Sequence, residues 1–266
     1  MGKPPANKHG RYRGRILILY FSGAGATKKV AQLMHLYLSQ ACAADIFSIE
    51  GCAGLNLNDY SALVIGTPVY HAAPPGIVTG YFDGLRPLVK ATPALIYSTR
   101  GLCGLNTNRM LAKQLRAKNI ITIMDTAYRS PASDGSLVAP GIKRFFEFEP
   151  DLKRKVARDC TTLLRLLQTR HLRGYIPRFQ FGSIVNAPNK LAGRLIRLKI
   201  HLHRERCTKC CKCATNCPLG AVSKDASGWP VIAKAKCMNC YRCVHHCPGL
   251  ALSLSKRRPP GRVLTY

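Results

Sequence analysis

The sequence predicts two folded units: an α/β domain with a doubly wound, five-stranded parallel sheet, and a small cysteine-rich α+β domain. Short apolar runs alternate with segments of helical periodicity along residues 15–170, the pattern of a sheet covered by helices on both faces. Nine of the 13 cysteines lie from Cys207 onward, where eight of them form two similar runs. With 47% hydrophobic residues over 266 positions, the chain can bury a sizeable core.

The first unit is predicted to contain five strands, each a short apolar run bounded by turn residues. The first run, RILILYF, is followed by the glycine-rich turn SGAGAT and then by a helical pattern. The strands are expected at residues 15–21, 46–49, 61–66, 94–99 and 120–124. Helices are expected at residues 27–40, 75–85, 106–118 and 149–169.

The chain changes character after residue 170, where Gly, Pro and basic residues replace the helical pattern. We interpret this stretch as a linker with a short basic amphipathic helix, KLAGRLIRLKIHL, at residues 190–202. The expected organisation is a basic tail at 1–14, the α/β domain at 15–170, the linker at 171–203, the cysteine-rich domain at 204–255 and a basic tail at 256–266.

The chain is strongly basic, with 41 Lys and Arg against 12 Asp and Glu and a formal net charge of +29. Such an excess points to an anionic partner or surface rather than to any fold. No signal sequence or membrane-spanning run is evident, because the uncharged stretch at 60–82 is interrupted by Pro68, Pro74 and Pro75. We therefore expect a cytoplasmic protein.

The cysteine-rich domain contains the pattern C-x2-C-x2-C-x3-C-P twice, starting once at Cys207 and again at Cys237. This spacing is typical of bacterial iron–sulfur ligation, in which the fourth Cys of each run serves the other cluster. Two residues between ligands let a tight loop present three thiolates to one cluster, and Pro turns the chain after the fourth. The expected ligands are Cys207, Cys210, Cys213 and Cys247 for one [4Fe–4S] cluster, and Cys217, Cys237, Cys240 and Cys243 for the other.

Structural zinc and a disulfide framework are the alternative interpretations of these cysteines. Zinc sites use C-x2-C pairs separated by a longer gap, which fits two tandem four-Cys runs poorly. A disulfide framework would leave one of the 13 cysteines over and lacks an export signal. Cys211 lies off the ligand spacing and is interpreted as a bystander, and Trp229 and Pro230 as packing residues between the repeats.

The SGAGAT turn between the first strand and the first helix is a candidate phosphate site. Its glycines allow backbone N–H groups to approach an anion at a helix N-terminus, and Ser22 and Thr27 add hydroxyl donors. The turn has neither Walker A nor G-x-G-x-x-G spacing, and it suits a mononucleotide. Loops after the third and fourth strands should flank a flat ring, with Tyr70 available for stacking. The expected contact residues are Ser22, Gly23, Ala24, Gly25, Ala26, Thr27, Thr67, Pro68, Val69, Tyr70, Ser98, Thr99, Arg100, Gly101 and Gly104.

The two motifs together resemble a known group of proteins. The YFSGAGATKKVA run resembles the YFSGTGNT signature of flavodoxins, and the cysteine-rich domain resembles clostridial-type two-cluster ferredoxins. Their order over residues 15–252 resembles flavodoxin–ferredoxin fusion proteins, the ferrodoxins. The resemblance implies flavin mononucleotide (FMN) and two [4Fe–4S] clusters in one electron-transfer protein. Ala24 and Ala26 stand where the signature has Thr and Asn, which removes two side-chain contacts to the phosphate.

Three functions remain open from the sequence, and we favour the first. It is an electron-transfer protein that passes electrons between redox partners, which the basic charge predicts to be acidic. The second is an iron–sulfur flavoenzyme reducing a small molecule such as a quinone. No acid/base pair or nucleophile is evident for it, although His71 and Arg100 lie near the expected flavin edge. The third is a nucleic-acid or membrane-surface binder, for which the sequence offers no nucleic-acid motif and only the 190–202 helix as a contact with an anionic membrane.

Overall fold

The computed structural model describes residues 12–169, 172–182, 199–257 and 263–264. The basic tail expected at 1–14, the amphipathic helix expected at 190–202 and the tail expected at 256–266 lie largely outside these residues. The described end of the expected helix is a strand instead, because His201–Leu202 pairs with Leu252–Ser253 of the cysteine-rich domain. In the described part of the chain, no helix combines the length and the apolar character that crossing a membrane requires.

One five-stranded parallel sheet forms the centre of the first unit, as the sequence predicted. Its spatial order is 2-1-3-4-5, which is the order of the flavodoxin-like doubly wound fold. The strands are β1 (Arg15–Tyr20), β2 (Ala43–Ser48), β3 (Ala62–Pro68), β4 (Thr92–Arg100) and β5 (Ile120–Arg129). The helices are α1 (Ala26–Leu38), α2 (Gly76–Gly84), α3 (Thr107–Arg116), α4 (Gly135–Val138) and α5 (Leu152–Leu167).

Two apolar layers cover the sheet because its central strands bury side chains on both faces. In β1, Ile16 and Ile18 pack with α1 and α5, whereas Leu17 and Leu19 face α2 and α3 on the opposite side. All seven residues of β3 are buried, as expected for the middle of a parallel sheet. Because β1, β3, β4 and β5 are parallel, their carboxyl ends meet at one edge of the sheet, where parallel α/β sheets bind their ligands.

The boundaries of β5 and β2 differ most from the sequence prediction. β5 continues to Arg129 rather than ending at 124. Its second half contains polar residues, and Asp125 accepts hydrogen bonds from the Asn108 amide (3.0 Å) and the Tyr175 hydroxyl (2.6 Å). β2 begins at Ala43 rather than 46, and Asp45 in this edge strand pairs with Arg15 of β1 at 2.7 Å. Both extensions contain polar side chains that bind partners distant in sequence, so a pattern of apolar residues does not reveal them.

The cysteine-rich domain consists of short elements related by the internal repeat. Two antiparallel pairs, β6 (His201–Leu202) with β9 (Leu252–Ser253) and β7 (Val222–Lys224) with β8 (Pro230–Ile232), accompany the single-turn helices α6 (Lys212–Thr215) and α7 (Arg242–His245). Three pairs of equivalent positions in the two repeats share positive φ angles. These pairs are Lys209 and Asn239 (53° and 56°), Cys211 and Tyr241 (63° and 54°), and Gly220 and Leu250 (57° and 49°). The backbone thus repeats together with the cysteine spacing.

Candidate functional site

The SGAGAT turn lies at the carboxyl edge of the sheet, between β1 and α1. Gly25 is the residue before α1 and has a φ of 107°, which favours glycine, and no side chain in the described part of the protein caps the helix. The first N–H groups of α1 therefore have no partner within the helix. Thr27 shares a 2.7 Å hydrogen bond with Thr99 of β4, which ties the turn to the neighbouring strand. The result is a helix N-terminus that no described side chain caps.

Ser22 supplies the clearest sign that this turn is built for a ligand. The residue is 7% exposed, and its hydroxyl has no hydrogen-bond partner among the described residues. A buried hydroxyl without a partner costs about 1–3 kcal/mol. Ser22 lines the cavity at the carboxyl edge, so an anionic group bound there would satisfy it.

That cavity has a volume of about 300 Å³, at the lower end of the range of cofactor pockets, roughly 300–1,000 Å³. Ten of the residues predicted from the sequence line it: Ser22, Gly23, Ala24, Ala26, Thr27, Pro68, Val69, Tyr70, Thr99 and Gly101. Gly25 shapes the turn, and Thr67 is buried with its hydroxyl donating to the Pro68 carbonyl at 3.0 Å. The residues present therefore fit an FMN phosphate through the backbone, Ser22 and Thr27, even with Ala at positions 24 and 26.

A third wall of the cavity was missed by the sequence analysis. It comes from the segment after β5 and includes Ser130, Ala132, Ser133, Asp134 and Phe145. The sequence analysis ended β5 too early, at 124, so it placed no loop of this strand at the carboxyl edge. The SPASDG run at 130–135 was the available signal, since such turn residues mark the end of a strand.

The loop after β3 is strained where it borders the cavity. Tyr70 and Ala73 exchange two backbone hydrogen bonds of 3.0 Å across a two-residue turn. Between them, His71 and Ala72 have φ angles of 49° and 59°. Left-handed conformations cost residues with a Cβ about 1–2 kcal/mol each. His71 lines the cavity, as expected for a residue near the flavin edge.

A second cavity of about 320 Å³ lies beside the first, on the other side of the loop after β4. Three residues predicted as cofactor contacts, Ser98, Arg100 and Gly104, line this cavity instead of the first. Arg109 and Arg178 also border it, and Cys103 borders both cavities. The predicted contacts are therefore divided between two neighbouring cavities.

The cysteines of the second unit form two separate groups, each around its own small cavity. One cavity is lined by Cys207, Cys210, Cys213 and Cys247 and also touches Cys211. The other is lined by Cys217, Cys237, Cys240 and Cys243. The two groups contain the same cysteines as the two sets expected from the sequence, with the fourth Cys of each run beside the other run. Their role as cluster ligands stays a prediction. Both cavities are mostly apolar.

Backbone N–H groups point at several of these sulfurs. The N–H of Ala221 donates to Cys217 Sγ at 3.1 Å, and that of Ala251 donates to Cys247 Sγ at 3.2 Å, at the equivalent place in the second repeat. Such hydrogen bonds stabilise thiolates and tune cluster potentials. Within the described residues, no three His, Cys, Asp or Glu side chains form a group that could hold a metal ion.

Comparison with known proteins bears on the first unit. The flavodoxin domain family matches residues 17–124. This part of the chain is a flavodoxin-like domain. No curated protein matches the chain.

Several solved structures are similar over this domain. A flavodoxin from the domain Archaea is 14% identical, with a TM-score of 0.39, 57% of this chain covered and 99% of that one. Two-electron reduced Megasphaera elsdenii flavodoxin is 16% identical, with a TM-score of 0.39 and coverage of 54% and 98%. A Fusobacterium nucleatum flavodoxin bound to flavin mononucleotide is 16% identical, with a TM-score of 0.41 and coverage of 58% and 96%.

The second cysteine loop packs directly against the SGAGAT turn of the flavodoxin-like domain. A Cβ added at Gly23 would lie 3.1 Å from the Cβ and carbonyl oxygen of Cys240, and it would collide with the Tyr70 hydroxyl. Burial raises the pKa of that hydroxyl well above its usual range, so Tyr70 stays protonated. Tyr70 therefore packs between the turn and the cysteine loop as well as lining the cavity.

His245 of α7 forms a second junction between the two units. Its Nε2 lies 2.8 Å from the Ser133 carbonyl, and the N–H of Leu264 donates to its Nδ1 at 3.2 Å. Burial lowers the pKa of His245 to about 4, so the neutral ring donates from Nε2 and accepts at Nδ1.

The first cysteine loop, unlike the second, lies at the surface. Its exposed residues are Thr208, Lys209, Cys210 and Lys212.

Proposed function

We propose that this chain is an electron-transfer protein that holds FMN in the flavodoxin-like domain and two [4Fe–4S] clusters in the cysteine-rich domain. The observation that carries the proposal is the division of eight cysteines into two four-residue sets around separate cavities. Bound clusters would supply one-electron steps and bound flavin one- or two-electron steps. The cavity at the carboxyl edge of the sheet is the proposed flavin site, and we call it the flavin cavity. Cys240 contacts the SGAGAT turn that lines this cavity, which would bring the flavin and the second cluster close together.

Each predicted ligand has a defined task in this proposal. Three cysteines of one run and the last cysteine of the other hold each cluster, while N–H groups such as those of Ala221 and Ala251 stabilise the thiolates. On the flavin side, Ser22, Thr27 and the first turn of α1 bind the phosphate. The loops after β3, β4 and β5 enclose the ring and exclude water from it.

The surface around the first cysteine set is the proposed docking site for an acidic redox partner. Exposed basic side chains surround this set, and we call them the basic face: Arg204, Arg206, Lys209, Lys212 and Lys224. The acidic side chains among these residues are Glu205 and Asp225. Opposite charge steers a redox partner to such a face and makes the encounter sensitive to salt.

Metal, sulfide and flavin analysis of protein purified without oxygen tests the proposal. About eight irons and eight sulfides per chain, one FMN, and a broad visible band that dithionite bleaches are the expected results. Cys217→Ser and Cys247→Ser should each lose one cluster and keep the other, whereas Cys211→Ser should keep both. Zinc without sulfide would contradict the cluster assignment, and full iron without FMN binding would contradict the flavin assignment.

The flavoenzyme alternative is favoured by the second cavity. That cavity is lined by Arg100, Arg109 and Arg178 and shares Cys103 with the flavin cavity, so it could admit an anionic small molecule. Saturable reduction of such a substrate by the fully loaded protein, weakened by Arg109→Gln, would support it. Strictly linear dependence of the rate on substrate concentration, unchanged in that variant, would contradict it.

A further inference from the structure

Arg242 lies inside the second cysteine loop but makes most of its contacts with the flavodoxin-like domain. It stands between Cys240 and Cys243 at the start of α7. Its Nη2 donates to the Ser22 carbonyl at 2.6 Å, and its Nε donates to the Gly23 carbonyl at 3.1 Å. A residue from the far end of the sequence therefore holds two successive peptide groups of the SGAGAT turn.

The guanidinium is fully satisfied in this position. Besides the two carbonyls, it binds the Glu50 carboxylate through both Nη atoms (2.5 and 2.9 Å) and the Asn216 carbonyl at 3.2 Å. These bonds use five donors, which is the complete set that a guanidinium carries. The side chain is 14% exposed. Lysine could not reproduce this planar set of contacts.

The consequence for the turn follows from the geometry of the peptide bond. In a trans peptide the carbonyl and the next N–H point in opposite directions. Because the carbonyls of Ser22 and Gly23 point at Arg242, the N–H groups of Gly23 and Ala24 point away from it. Both residues line the flavin cavity. Arg242 thus fixes the orientation of two backbone donors suited to a phosphate.

We propose that Arg242 is a positioning residue for the flavin phosphate, so that FMN affinity is coupled to the integrity of the second cysteine loop. The inference rests on the proposed function. The Arg242 guanidinium holds the SGAGAT turn in its anion-binding conformation before the phosphate arrives. This lowers the free-energy cost of ordering the turn when FMN binds. Loss of the second cluster would release the loop that carries Arg242 and weaken FMN binding. By linkage, bound FMN would protect that cluster by the same factor.

The test compares FMN with riboflavin, which lacks the phosphate, in cluster-loaded protein depleted of flavin. We expect Arg242→Lys and Arg242→Gln to weaken FMN binding by about tenfold or more and riboflavin binding by less than about threefold. Glu50→Gln, which leaves the cysteine loop unchanged, should weaken FMN binding in the same phosphate-dependent way but less. Arg154→Gln, in an exposed ion pair with Asp151, is the control and should bind both flavins like the wild type.

Iron and sulfide counts accompany every titration and show that the loop is intact. Unchanged FMN affinity in both Arg242 variants with full iron would overturn the inference while leaving the proposed function standing. An equal loss of FMN and riboflavin would overturn it too, because the role would then be general packing. Wild-type protein that binds no FMN would overturn the proposed flavin function itself.

Discussion

Replacing Ser22 by Ala should stabilise the flavin-free protein and weaken its binding of FMN. The hydroxyl is buried without a partner among the described residues, so its removal relieves a desolvation cost of about 1–3 kcal/mol. In the complex the same hydroxyl would bond a charged phosphate, a contact worth about 1.5–3 kcal/mol. The Kd for FMN should therefore rise roughly 10- to 150-fold. The carbonyl of Ser22 that accepts from Arg242 is retained in this variant.

Urea unfolding of flavin-free protein and FMN titration measure the two effects. Thr122→Val is a matched control, because the Thr122 hydroxyl in β5 is also buried without a partner in the described part of the chain but does not line the flavin cavity. It should raise stability by a similar amount and leave FMN affinity unchanged. Lower stability of Ser22→Ala, or unchanged FMN affinity, would refute the assignment of Ser22 to the phosphate.

Three further predictions concern the strained loop after β3, the close packing at Gly23 and the charge of the basic face. Ala72→Gly should raise the free energy of unfolding by about 1 kcal/mol, because φ is 59° there. A lower urea midpoint would contradict this. The control is Ala73→Gly, which should lower the free energy of unfolding because Ala73 lies outside the left-handed region. Gly23→Ala should weaken FMN binding by about tenfold or more, since its Cβ would collide with the Tyr70 hydroxyl. Gly76→Ala, where space is open, is its control in the same titration, and wild-type affinity in Gly23→Ala would refute the expected collision. Lys209→Gln with Lys212→Gln should flatten the salt dependence of electron exchange with an acidic ferredoxin, as measured by stopped flow, and an unchanged slope would argue against the basic face.

The sequence was most informative where the determining contacts are local. The strand–turn–helix around SGAGAT and the two four-Cys runs are each defined within one short stretch of the chain. The strand–turn–helix forms as predicted. The cysteines lie in the two expected groups, and cluster ligation by them stays a prediction. Their physical basis is backbone geometry and ligand spacing, which neighbouring residues control. The short apolar runs likewise predicted the five strands, because strands buried on both faces are nearly continuous apolar stretches.

The sequence was least informative where contacts span the two units. Arg242 looked like one basic residue among 41, and nothing in its neighbours indicates that it reaches Ser22 and Glu50. The contribution of the segment after β5 was missed for a related reason. Asp125 and Thr126 interrupt the apolar run, but the backbone of β5 stays paired with β4 as far as Arg129, and both polar side chains find tertiary hydrogen bonds.

The most direct test of the account is the rate at which flavin and clusters exchange electrons within one chain. Fully loaded protein would be mixed without oxygen with a limiting amount of reductant, and the flavin and cluster bands would be followed by stopped flow. Because Cys240 lies against the turn that lines the flavin cavity, electrons should redistribute between flavin and clusters within one chain. The reaction should be first order, with a rate constant independent of protein concentration. A rate proportional to protein concentration, or bands that never exchange electrons, would contradict a single flavin and iron–sulfur electron-transfer protein.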